Sequence, residues 1–181
     1  MAGSFAVRFA VAASRWGPLV WGLDPSGALL ETWGFGDCAC LLVVTRSSNP
    51  EGRAIQAARG DCGRSVEEAL LRDIGALNAT LAPGGIGPIG AVVGPAHLEP
   101  SLDLPAARAL FLAPGVGAQG ATCADVARTF AACPDRVMPS ASRSLLSAGP
   151  DASALRDTAA TLASELQTAL ASVSGGASQK G

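Results

Sequence analysis

Leu110-Phe-Leu-Ala-Pro-Gly-Val-Gly-Ala-Gln-Gly-Ala-Thr122 sets an apolar strand against a glycine-rich turn and then a helix start. Shortly after it, Val137-Met-Pro-Ser-Ala-Ser-Arg143 is a second strand whose end presents an arginine. Glycines in such a turn let the backbone approach an anion closely, and the following helix offers unpaired amides and the positive end of its dipole. Arg143 adds a two-pronged contact, so the pair reads as a phosphate cradle on an α/β scaffold. A glycine cluster of this kind is also an ordinary structural turn, and its spacing is not that of a dinucleotide fingerprint. The arginine on the next strand end is what turns the reading towards an anion site.

Working outward, short apolar runs alternate with helix-periodic segments, the pattern of an α/β domain with a mostly parallel sheet. The spacing predicts a helix from Ser4 to Trp16, a strand over Leu19–Leu23, a short helix near 26–33 and a strand over Cys40–Thr45. Ser65-Val-Glu-Glu68 has capping-box spacing and opens a helix with Val66, Ala69, Leu70, Ile74 and Leu77 at three and four intervals. Strands over 89–94, 109–113 and 136–140 follow, and Asp151 caps a last helix with Leu155, Leu162, Leu166 and Leu170 as its inner stripe. One domain over 1–173 and a flexible tail over 174–181 are expected. Periodicity alone favours an open doubly wound sheet, because five strands fall short of the eight that close a barrel. In either architecture Asp24, the Ser47-Ser48-Asn49 loop, Gln119 and Arg143 fall at carboxyl ends of strands.

Composition narrows the function. With 181 residues, 49% hydrophobic and 15% charged, the chain is long and apolar enough to bury a core. A net charge of -2 carries no basic footprint for nucleic acid. The apolar runs are too short to span a membrane, and the N-terminus lacks the layout of a secretory leader, so a cytoplasmic protein is expected. Five cysteines without C-x-x-C spacing, and the lone His97, predict neither a metal site nor a disulfide framework. No G-x-S-x-G elbow is present, and of 13 Lys and Arg residues only Lys180 is a lysine. Asp24 before Pro25, and Ser47-Ser48 before Asn49-Pro50, read equally as turn formers.

Four ordered stretches carry a family resemblance: Pro18-Leu-Val-Trp-Gly-Leu-Asp-Pro25, Arg46-Ser-Ser-Asn-Pro-Glu-Gly52, Ala113-Pro-Gly-Val-Gly-Ala-Gln-Gly-Ala-Thr122, and Pro139-Ser-Ala-Ser-Arg-Ser144 with Ala148-Gly-Pro-Asp151. Together they resemble orotidine 5'-phosphate decarboxylase of the longer, mycobacterial and actinobacterial type. The resemblance implies a homodimeric (β/α)8 barrel that converts orotidine monophosphate to UMP and CO2 without a cofactor, in pyrimidine synthesis. It implies phosphate contacts from Gly117, Gln119, Gly120 and Arg143, a sugar contact from Asp24 and a pyrimidine contact from Ser48.

The resemblance also implies something this chain lacks. The family places a lysine on its second strand and an Asp-Ala-Lys-Arg-Gly-Asp segment on its third, which together protonate the carbanion and crowd the leaving carboxylate. Here Trp33-Gly-Phe-Gly-Asp37 passes directly to Cys38-Ala-Cys-Leu-Leu-Val-Val44, which resembles the family's fifth strand. Strands two to four are expected to be missing, about 90 residues at roughly 30 per βα unit, with the junction near 37–40. No residue is assigned a catalytic role. The sequence leaves three readings: a decarboxylase interrupted by a deletion or sequence fault, a non-catalytic nucleotide-binding remnant, and a different phosphate-binding α/β enzyme.

Overall fold

The computed structural model describes residues 7, 10, 11, 14, 15, 20, 21, 41–47, 49–95, 102–117 and 120–177. Its strands are β1 (Val20–Trp21), β2 (Leu41–Arg46), β3 (Ile89–Val93), β4 (Phe111–Pro114) and β5 (Val137–Ala141). The helices are α1 (Arg53–Gln56), α2 (Val66–Leu81), α3 (Cys123–Thr129), α4 (Arg143–Leu146) and α5 (Ala152–Ala177), with single 3-10 turns at Pro50–Gly52, Pro105–Ala107 and Pro134–Arg136.

All five strands are parallel, in the order β1-β5-β4-β3-β2. That order corrects the open-sheet expectation. A doubly wound sheet reverses its winding at an internal strand, whereas here β2 to β5 run in sequence and β1 sits beside β5. First strand next to last is the closure of a (β/α)8 barrel, so the sheet is a contiguous arc of one. Its two edges, β1 and β2, are the strands that flank residues 22–40 in the chain. The interruption expected from the motifs therefore coincides with the seam of the sheet.

One face of the arc is packed by helices. Phe111 and Ala113 of β4, Ala91 and Val93 of β3, and Val137 and Ala141 of β5 are buried with Leu71 and Ile74 of α2, Val126 of α3, and Leu166 and Leu170 of α5. Phe111 meets Phe130 with ring centroids 5.7 Å apart and planes tilted by 42°, a favourable aromatic arrangement. The other face is less covered. Leu112 and Val92 are half-buried, and Val44, beside Val92 on the edge strand, is 58% exposed; Leu41, on the helix-packed face of the same edge, is 61% exposed. Apolar side chains on an open edge are a liability for association.

The capping box at Ser65 forms as expected: Ser65 Oγ accepts from the Glu68 amide at 3.2 Å, and a Glu68 carboxylate oxygen accepts from the Ser65 amide at 2.6 Å. The stripe behind it differs. Val66 and Leu77 are exposed, and the buried positions are Glu67, Leu71, Ile74, Gly75 and Asn78. The face is rotated because its two ends are polar residues that find partners inside. Asn78 Nδ2 donates to the carbonyls of Ile89, Ala107 and Arg108 at 2.8, 3.1 and 3.1 Å, and its Oδ1 accepts from the Ile89 amide at 3.1 Å. One amide thus pins α2 to the start of β3 and to the segment before β4.

Asp151 caps α5, accepting from the amides of Ser153 and Ala154 at 3.0 and 2.8 Å. The helix continues through 174–177, into the stretch expected as a tail, and 178–181 lie outside the described residues. Leu166 and Leu170 are buried, and Leu155 and Leu162 are half-buried, as the stripe predicted. Of the N-terminal helix, Val7, Ala10, Val11, Ser14 and Arg15 are helical; the short helix near 26–33 lies outside the described residues. No helix among the described residues is long and apolar enough to cross a membrane.

Two outcomes are expected. Asn78→Ala leaves the amide of Ile89 unsatisfied in the interior and should lower unfolding free energy by roughly 3 kcal/mol, read from urea denaturation; a loss below about 1 kcal/mol would show that α2 is not held there. Among the described cysteines, alkylation followed by peptide mapping should label Cys62 first. Cys62 is exposed, and the Arg64 amide lowers its pKa, whereas burial pushes the Cys133 thiol up to about 11. Cys133 labelling as fast as Cys62 in the native state would contradict the packing of that thiol.

Candidate functional site

Because every strand is parallel, the loops after β1, β2, β4 and β5 leave the same end of the sheet. β1, β5 and β4 are neighbours, so their carboxyl ends lie side by side there. Asp24 is three residues beyond Trp21, Arg143 two beyond β5, and Gly117 and Gly120 follow β4 directly. The Ser47–Asn49 loop leaves from β2, separated from β4 by β3. Asp24, Ser48 and Gln119 themselves lie outside the described residues.

The glycine turn has the backbone its composition requires. Gly115, Gly117 and Gly120 have φ of 87°, 80° and 85°, the left-handed region that side chains disfavour. The turn closes on itself, the Gly117 amide donating to the Ala121 carbonyl at 2.8 Å and the Gly120 amide to the Gly117 carbonyl at 3.1 Å. It is also tied to the arginine strand: the Val116 amide donates to the Ser140 carbonyl at 3.3 Å, and Ser144 Oγ donates to the Val116 carbonyl at 3.1 Å. A Cβ on Gly117 would lie 2.9 Å from the Ser144 Cβ, so only glycine admits this approach. The turn after β4 and the turn carrying Arg143 are therefore one braced unit. Ser144 has no signature in the sequence beyond its place after Arg143, and its bracing role emerges only from the fold.

Arg143 is exposed, and among the described residues its guanidinium has no ion pair or side-chain hydrogen bond. A planar guanidinium left open to solvent beside a glycine turn suits bidentate contact with a phosphate. One part of the expected cradle is corrected. The start of α3 is not free, because Thr122 and Asp125 form a capping box: Thr122 Oγ1 accepts from the Asp125 amide at 3.1 Å, and Asp125 Oδ2 accepts from the Thr122 amide at 2.8 Å. The Thr122 amide and hydroxyl hold the Asp125 carboxyl below its ordinary range, and a carboxylate there suits the positive end of the helix. Of the expected cradle, Arg143 is the side chain left open to solvent.

A cleft of about 400 Å³ touches Gly117 and Ser144 and continues along α5 past Asp157, Thr158, Thr161 and Glu165. Its two carboxylates, Asp157 and Glu165, disfavour an anion within it. Cys123 borders the same region with its Sγ 3.8 Å from Glu165 Oε2, and burial, then Glu165, raises its pKa.

The loop after β2 holds what sequence reasoning missed. Glu67, fully buried at the start of α2, accepts from Arg46 Nε and Nη2 at 2.8 Å each and from Arg53 Nη1 at 3.2 and 3.3 Å. No periodicity reveals such a group, since an acidic residue in the first turn of a helix reads as solvated and dipole-stabilising.

No family model matches the chain. It is 42% identical over 130 residues to the orotidine 5'-phosphate decarboxylase of Salinispora arenicola, covering 72% of this chain and 46% of the relative. To that of Streptomyces coelicolor it is 44% identical over 150 residues, covering 82% and 51%. The chain spans about half the length of the curated relatives it matches. Among solved structures, one from Streptomyces avermitilis described as an orotidine 5'-phosphate decarboxylase superposes with a TM-score of 0.65 at 35% identity, covering 91% of this chain and 61% of that chain. At 20% identity, a Toxoplasma gondii orotidine-monophosphate decarboxylase superposes with a TM-score of 0.58 over 95% of this chain and 66% of that chain, which speaks to the fold alone. Taken with the order of the motifs and the pairing of first strand to last, these similarities establish that the chain belongs to the orotidine 5'-phosphate decarboxylase family, as a partial (β/α)8 barrel.

Proposed function

We propose that this chain is the nucleotide-gripping part of an orotidine 5'-phosphate decarboxylase and that, as written, it binds a pyrimidine nucleoside monophosphate without decarboxylating it. The observation that carries the reading is the braced unit of the glycine turn and Arg143 at the carboxyl end of adjacent strands. In this proposal Gly117, Gln119, Gly120 and Arg143 take the phosphate, Asp24 the sugar and Ser48 the pyrimidine. A cytoplasmic setting, the absence of any cofactor and pairing as a homodimer belong to the same reading.

The lack of turnover follows from chemistry. Loss of CO2 leaves an electron pair on the pyrimidine carbon, which must be stabilised as it forms and then protonated. The only lysine is Lys180, near the C-terminus, and the paired lysine and aspartates expected on the second and third strands are absent from the sequence. Phosphate binding alone holds ground state and transition state equally and does not accelerate the step. The intact motifs on either side of residues 37–40 favour an interrupted decarboxylase over an unrelated α/β enzyme.

In isothermal titration UMP should bind, and Arg143→Ala should weaken it about tenfold or more, the worth of a charge-assisted phosphate contact; equal binding by both proteins would remove the cradle. Purified chain should release no CO2 from orotidine monophosphate above background, and turnover would refute the loss of the chemical half. Resequencing the coding DNA for Asp37 to Cys40 separates the origins: an intervening Asp-x-Lys-x-x-Asp coding segment restores the enzyme, and an unbroken junction supports the binding remnant.

A further inference from the structure

We propose that Glu67 is a positioning residue that holds the loop after β2 in the conformation needed to meet a pyrimidine ring, by clamping both ends of that loop with one buried carboxylate. The inference rests on the reading that this loop contacts the base. Arg46 is the last residue of β2 and Arg53 the first of α1, so together they bracket residues 47–52. Both donate to Glu67, Arg46 in a two-pronged contact and Arg53 through Nη1 to both oxygens. Arg46 and Glu67 are 2% and 0% exposed and Arg53 is 30% exposed, so the clamp is sealed at the strand end and reachable at the helix end.

The loop between the clamped ends is closed by its own contacts. The Ser47 amide donates to Gln56 Oε1 at 3.2 Å, the Asn49 amide to Ser47 Oγ at 3.2 Å, and the Gly52 amide to the Asn49 carbonyl at 3.2 Å. A Cβ on Gly52 would stand 2.8 Å from Ser47 Oγ, which shows how closely the two ends of the loop approach. The β2 end is anchored a second time, the Gly94 amide donating to the Arg46 carbonyl at 2.7 Å. A buried ion pair is a poor source of stability, but it specifies one geometry, since any other leaves charge unpaired in the interior. Here the geometry it specifies is that of Ser47, Asn49 and Gly52, the described residues whose contacts close the loop.

The test compares UMP with ribose 5-phosphate, which presents the sugar and phosphate but no base, on the full chain and on Arg53→Met. Arg53→Met opens the clamp at its accessible end and leaves the Arg46–Glu67 pair intact; Glu67→Gln, checked for folding by circular dichroism, is the second variant. Hydrogen exchange at the Asn49 and Gly52 amides should rise in Arg53→Met. UMP affinity should fall about tenfold while ribose 5-phosphate affinity changes by less than about twofold, because only the base loses its positioned contact. Unchanged exchange would refute the clamp. Faster exchange with an unchanged UMP preference, or an equal loss for both ligands, would refute the positioning role. If the parent chain binds the two ligands equally, the base-contact reading itself falls, and the positioning role with it.

Discussion

Parallel pairing of the first strand to the last, Val20 with Ser140 and Trp21 with Ala141, is the constraint on which the molecule depends. Without it the chain would be a run of βα units wound in one direction, with the residues after β1 far from those after β5. With it, the segment leading to Asp24 and the turn bearing Arg143 leave adjacent strands. The constraint also has a cost. Among the described residues, an arc that begins at β1 and ends at β2 leaves two strand edges, where a closed barrel has none.

Within the arc, buried polar groups set the loops while apolar burial supplies the driving force. Phe111, Phe130 and Leu166 are fully buried and account for the packing of β4 against α3 and α5. Where loops must take one shape, the fold uses hydrogen bonds: inside, Asn78 fixes the approach to β3 and Glu67 gathers Arg46 and Arg53, and at the sheet's end the half-buried Ser144 links the turn after β4 to the turn after β5. Each of these side chains would be costly if unpaired, so each narrows the geometries available to its neighbours.

Much of this was legible along the chain, for local reasons. Strands β2 to β5 appeared as apolar runs, the capping box at Ser65 and the cap at Asp151 as short-range signatures, and the glycine turn as a demand for positive φ. The buried stripe of α2 was misjudged, because a pattern search rewards Val66 and Leu77 and passes over Glu67 and Asn78. Whether a polar residue is buried depends on partners 21 residues away in the case of Arg46 and 11 to 30 away for Asn78. Thr122 and Asp125 were likewise overlooked as a pair, although their spacing is that of a capping box.

By itself the sequence determined the elements, the family and the scarcity of lysine, since these rest on residue identity and near-neighbour spacing. It also contained Arg143 and the glycine turn, without saying that they form one unit. Strand order, the seam between β1 and β2, and the enclosure of Glu67 were decided only in three dimensions. The physical reason is that hydrogen-bonded pairing and burial join residues far apart in the chain, and no local pattern records which distant group will be opposite.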